Sequence, residues 1–138
     1  MKALPTLIRI CKWKLEEMRR KQSELEGLRK DLESQLQKLK LQHVEEQRLA
    51  ESSVEYATTY NGYANLFVTR REKLNQSIAE VDEAIEISRI EVEDAFQEVK
   101  KYEIVHNRNT RREVENTLRS EQVSLDETGA QAHRAKVA

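Results

Sequence analysis

The chain has 138 residues, 36% of them charged, with only three glycines and one proline. So few turn-forming residues exclude sandwiches, barrels and Rossmann-type folds, and leave an all-α fold. Lys plus Arg number 24 against 25 Asp plus Glu, and the resulting net charge of -1 argues against a dedicated nucleic-acid binder.

Pro5 suits the first turn of a helix, where a missing N–H costs nothing. From there Leu4, Ile8, Cys11, Leu15, Met18, Leu25, Leu32, Leu36 and Leu39 alternate steps of four and three, with Gln22 and Arg29 filling the remaining positions. This is the seam of a coiled coil. Beyond Leu39 the repeat calls for His43 and Glu46, while the apolar residues at hand are Leu41, Val44 and Leu49, so the seam is expected to shift phase or loosen there. Cys11 falls on the seam as a small core residue, since no histidine is placed to activate it.

Heavy charge disappears between Glu51 and Asn65, and Asn61-Gly62 is the dipeptide that most readily adopts positive φ. A turn is expected there, with Tyr56, Tyr60 and Tyr63 either covering the hairpin cap or meeting a partner. Capping-box patterns do not fix the boundary. They occur at Ser52–Glu55 but also at Ser23–Glu26, Thr69–Glu72 and Thr110–Glu113.

A second seam runs through Phe67, Leu74, Ile78, Val81, Ile85, Val92, Ala95, Val99 and Tyr102, with Arg71 and Ser88 as polar members. It turns polar from His106 to Glu113, where His106 either has a structural role or titrates and hydrogen-bonds across the coil, and a weaker stripe resumes at Val114, Leu118 and Leu125. Gly129 is expected to end the helix. The pattern therefore predicts one all-α domain over 1–138, a long two-helix antiparallel coiled-coil hairpin. Helix one is set at about 5–56, the turn at about 57–63, helix two at about 64–128, and a frayed tail at 129–138. A turn near residue 60 makes Leu39 face Val81, Leu32 face Ser88, Leu25 face Ala95 and Met18 face Tyr102, with helix two overhanging at the open end.

Lys2, Arg9, Lys12, Lys14, Arg19, Arg20 and Lys21 crowd the start of helix one, and Arg108, Arg111, Arg112 and Arg119 lie on the part of helix two expected beside it. The open end is thus basic, whether as a solvated flank or as a surface for an acidic partner. Trp13 takes an outer heptad position, where it lies along Lys and Arg stems or anchors a partner. No phosphate loop, nucleophile elbow or zinc-ligand spacing is present, and no apolar run is long enough to cross a bilayer. The expectation is a cytoplasmic, non-enzymatic protein without cofactors or metal.

Leu4-Pro5-Thr6-Leu7-Ile8-Arg9, Trp13-Lys14-Leu15-Glu16-Glu17-Met18-Arg19-Arg20 and Tyr63-Ala64-Asn65-Leu66-Phe67 with Leu74 and Ile78 resemble the FliJ family of flagellar type III export proteins. The resemblance implies a coiled coil similar to the central stalk of rotary ATPases, placed at the flagellar basal body on the cytoplasmic side of the inner membrane. It implies that the open end enters the hexameric export ATPase and promotes its assembly and hydrolysis, an end that here carries Arg9, Lys12, Trp13, Arg108, Arg111 and Arg112. It also implies contact near the turn, around Tyr63, Leu66, Phe67 and Arg70, with the cytoplasmic domain of the export gate membrane protein or with export chaperones. The alternatives are a coiled-coil adaptor or spacer unrelated to secretion, and the equivalent stalk of an injectisome.

Overall fold

The structure, a computed structural model, describes residues 3–137. It consists of helix α1, Ala3–Ser52, and helix α2, Val54–Val137, with no strand among the described residues. Pro5 sits in the first turn of α1, as its geometry favours. The break between the helices is the single residue Ser53. Its carbonyl accepts the Ala57 N–H at 3.1 Å, the first bond of α2, while the Ser52 hydroxyl donates to the Leu49 carbonyl at 2.8 Å in the last turn of α1. Glu55 lies in the first turn of α2, where a carboxylate is favoured by the exposed N–H groups. Among the described residues none, glycine included, has a positive φ, so the corner is made without a left-handed residue.

The expected turn at 57–63 is therefore helix. Thr58 and Thr59 donate their hydroxyls to the carbonyls of Glu55 and Tyr56, at 2.8 and 3.0 Å, and so spend their polar groups inside the helix. Gly62 is tolerated at a cost of about 1 kcal/mol relative to alanine, and packing of the flanking Tyr60 and Tyr63 against His43 outweighs it. Gly129 likewise does not end α2, which runs on to Val137 with Arg134 and Lys136 in its last turn. The Thr128 hydroxyl donates to the Ser124 carbonyl at 2.9 Å, a further bond within the continuing helix.

The chain divides into two compact units, Lys14–Ala95 and a second made of Met1–Trp13 with Phe96–Ala138. Lys14–Ala95 is a helical hairpin closed at Ser53. Its core is Leu15, Leu39, Phe67, Val81, Ser88 and Ala95, flanked by half-buried Leu25, Leu32, Leu36, Leu74, Ile78, Ile85 and Val92. The alternating step of three and four continues past Leu39 without a change of phase. His43, Glu46 and Ala50 take the seam positions, and Leu41 and Val44 point outward at 59% and 61% exposure. The reason is the His43 ring, which stacks on Phe67 with centroids 3.8 Å apart and planes 9° apart, and so fills the seam as an aromatic side chain would.

Moving the corner from residue 60 to Ser53 also slides the register. Lys21 meets Glu91 at 3.6 Å, and Arg29 pairs with Asp82. Leu39 shares a groove with Leu74 rather than facing Val81, and Leu32 and Leu25 shift away from Ser88 and Ala95 in the same sense, by about two turns.

In the second unit the start of α1 packs on α2 through Ile8, Cys11 and Val99, with Leu4, Tyr102 and His106 half-buried. Lys12 meets Glu103 at 3.4 Å. From Thr110 to Val137 every residue is exposed, roughly 40 Å of α2 with no helix beside it. The weak stripe of Val114, Leu118 and Leu125 is on this stretch and is uncovered.

Candidate functional site

The six basic-end residues all fall within the second unit. Arg9 and Lys12 come from α1 with Trp13, while Arg108, Arg111 and Arg112 come from α2. Trp13 is 66% exposed, so the indole is presented to solvent and not to the seam. Lys12 is engaged. Burial alone would raise the Glu103 carboxyl, but Lys100 and Lys12 together outweigh it and hold the group below the ordinary carboxylate value. Arg9, Arg108, Arg111 and Arg112 have no carboxylate within ion-pair distance among the described residues, which leaves their guanidinium groups open to a partner.

Arg108 also edges a groove of about 440 Å³ along α2, where Phe96 and Ile104 provide apolar floor and Lys100 and Lys101 provide charge. The Lys100 ammonium sits 5.4 Å from the Phe96 ring centre, and the Lys101 ammonium 5.6 Å from that of Tyr102. Arg111 and Arg112 begin the uncovered stretch. The end is thus a cationic surface with exposed apolar side chains between the charges, suited to a macromolecular partner with acidic character.

The four residues expected near the turn separate by exposure. Phe67 is 7% exposed beneath His43, with the Arg71 guanidinium 5.4 Å from its ring centre, so it is a core residue and offers no surface. Tyr63 is half-buried and its ring lies 6.3 Å from His43. Burial, then the charge of Glu46, pushes its phenol up, which keeps the group a neutral O–H donor. Leu66 and Arg70 remain exposed and available. Tyr60 joins the stack at 6.1 Å and is half-buried, whereas Tyr56 is half exposed, so the tyrosines divide between cap and surface.

Sequence reasoning missed the His43 stack and a groove of about 360 Å³ between the helices of the hairpin, floored by Leu39 and Leu74. The signal for the first was present, since the unshifted repeat lands on His43. The second becomes visible only when residues seven apart are compared on both helices in the correct register.

Among the described residues no cluster of His, Cys, Asp or Glu could hold a metal ion, and none of the helices is long and apolar enough to cross a membrane. The described grooves are lined by side chains of helices, without a buried acid–base pair or nucleophile. An all-α, two-helix coiled-coil protein with exposed basic and apolar surfaces is the class that the fold defines. Within that class the chain belongs to the FliJ family, described as the flagellar FliJ protein, whose profile matches residues 1–138. No curated protein and no solved structure matches the chain at a significant level. Membership makes the chain a component of the flagellar export apparatus, in a family of structural and export components that are not known as enzymes.

Proposed function

We propose that the chain is a non-enzymatic stalk that promotes assembly and activity of the hexameric export ATPase. Its basic end meets the ring, and the surface near the corner links the ATPase to the cytoplasmic domain of the export gate and to export chaperones, at the cytoplasmic face of the basal body. The observation that carries this reading is the second unit itself. It presents Arg9, Trp13, Arg108, Arg111 and Arg112 on a short paired segment continued by roughly 40 Å of uncovered helix. A single chain inside a ring of identical subunits cannot contact them all equally, so it biases their conformational populations through differential binding.

The test is steady-state ATP hydrolysis by the export ATPase of the same organism with and without this protein, with ring assembly followed by light scattering. Stimulation together with assembly is expected. Alanine at Arg9, Arg108, Arg111 and Arg112 should weaken binding, most visibly at low salt, because exposed charges are screened as ionic strength rises. Unchanged affinity in that variant at low salt would remove the electrostatic part of the proposal. Failure of both hydrolysis and assembly to respond would leave a coiled-coil adaptor as the better reading.

A further inference from the structure

One edge of the Lys14–Ala95 hairpin departs from the charge pattern of the rest. Lys21, Leu28, Gln35 and Gln42 are spaced by seven along α1, and Arg70, Ser77, Ala84 and Glu91 are spaced by seven along α2, so each set lies along one side of its helix. At the end distant from the corner, Lys21 and Glu91 complete an ion pair across the coil. Toward the corner this complementarity stops. Arg70 shares a groove with neutral Gln35 and Gln42, and Lys38 and Lys73 stand on its two rims. None of the groove residues is a carboxylate, and no described carboxylate lies within ion-pair distance of Lys38, Arg70 or Lys73. Of the acids on the neighbouring turns, Glu45 is held by Arg48 at 2.7 Å, and Asp82 and Glu33 by Arg29, while Glu46 and Glu72 stand outside the groove lining. In a chain with 25 acidic residues, three clustered cations facing one another are an electrostatic cost to the isolated hairpin. Beneath them Leu39 and Leu74 form an apolar floor, and exposed Leu66 continues the α2 rim one turn nearer the corner.

We infer that this groove is the docking site for an acidic amphipathic helix of a partner protein. The partner's apolar side chains would rest on Leu39 and Leu74, and its flanking carboxylates would pair with Lys38, Arg70 and Lys73. Charge complementarity identifies the occupant: a basic rim without acids over an apolar floor is matched by an apolar stripe with acidic flanks, the helix-in-groove mode of recognition. The site takes its place from the proposed partner contact around Leu66 and Arg70, and it gives that contact a chemistry and a second helix, through Gln35, Lys38 and Gln42 of α1. It is independent of the ATPase contact, which uses the other unit.

The experiment is fluorescence anisotropy with the full-length chain and two labelled amphipathic peptides, one with a leucine stripe flanked by glutamates and one in which lysines replace the glutamates. The glutamate peptide should bind about tenfold more tightly than the lysine peptide, and the triple variant Lys38→Glu, Arg70→Glu, Lys73→Glu should reverse that preference. A reversal is a gain of binding that a misfolded variant would not give. Equal affinity for both peptides, or a preference untouched by the triple variant, would overturn the inference. So would a change of oligomeric state in the triple variant by sedimentation, which would make a second copy of the chain the occupant, or displacement of the glutamate peptide by single-stranded RNA. Hydrolysis by the export ATPase, measured in parallel, reports on the stalk reading alone.

Discussion

Ser88 is 1% exposed, the most buried side chain of the Lys14–Ala95 hairpin, and its hydroxyl has no hydrogen-bond partner. A small residue is needed there because the helices approach closely, but the oxygen itself adds only a desolvation cost. Ser88→Ala should therefore be neutral or stabilising by up to about 1 kcal/mol in urea unfolding, while Ser88→Leu should destabilise by about 1–3 kcal/mol through overpacking. Phe67→Ala should cost about 3 kcal/mol, because it removes the ring on which His43 lies and leaves the adjoining seam open. That loss of stability must be measured before any binding defect of the variant is ascribed to a surface. Acid sensitivity follows from three carboxyls held below their ordinary value of 4.5, Glu45 and Glu86 by the hydrogen bonds and charges of Arg48 and Arg89, and Glu103 by Lys100 and Lys12 against its own burial. Groups depressed in the folded state contribute stability that is full above the unfolded value and is lost as pH falls through the folded one. Thermal melts should accordingly decline below about pH 4.5. The Glu103 share alone should shrink in Lys12→Met, since this pair joins α1 to α2, while Glu45–Arg48 lies inside α1 and Glu86–Arg89 inside α2.

At the scale of the helix, the location of the corner is the decisive point, and Gly62 tests it. The residue lies inside α2 without a positive φ, and a Cβ there would meet nothing within 4 Å. Gly62→Ala should then stabilise the protein by about 0.5–1 kcal/mol and raise helix content. Were Asn61-Gly62 the turn, the same change would destabilise it. The two seams could be read from spacing because burial in a coiled coil repeats every three and four residues, and the seam positions from Ile8 to Leu39 are buried or half-buried as that spacing requires. The corner could not be read. A one-residue break at Ser53 leaves no run of glycine, proline or asparagine, and local propensity at Thr58, Thr59 and Gly62 is overridden by packing of Tyr60, Tyr63 and Phe67 around His43. An error of about two turns in the corner propagates into every cross-helix pair. For that reason the cationic groove at Lys38, Arg70 and Lys73 was invisible until the register was known, although each residue was plain in the sequence.

For the whole chain, the residues that pack the helices and those proposed to bind a partner are different, and this separates two effects of shortening α2. The stretch from Thr110 to Val137 buries nothing, while packing of the second unit rests on Ile8, Cys11 and Val99. Isolated helix of this length is marginal in water, and its persistence depends on propensity and on continuity with the paired segment. Truncation after Asn109 should lower the helical circular-dichroism signal in proportion to the residues removed and leave the urea midpoint nearly unchanged, because little surface is re-exposed. Stimulation of the export ATPase should fall sharply in the same variant, since Arg111, Arg112 and the apolar stripe of Val114 and Leu118 are lost together. If stimulation survives, the contact is confined to Arg9, Trp13 and Arg108, and the uncovered helix must serve another partner. If the midpoint falls as well, residues beyond Asn109 support the paired segment, and the division between a packed unit and an uncovered extension is wrong.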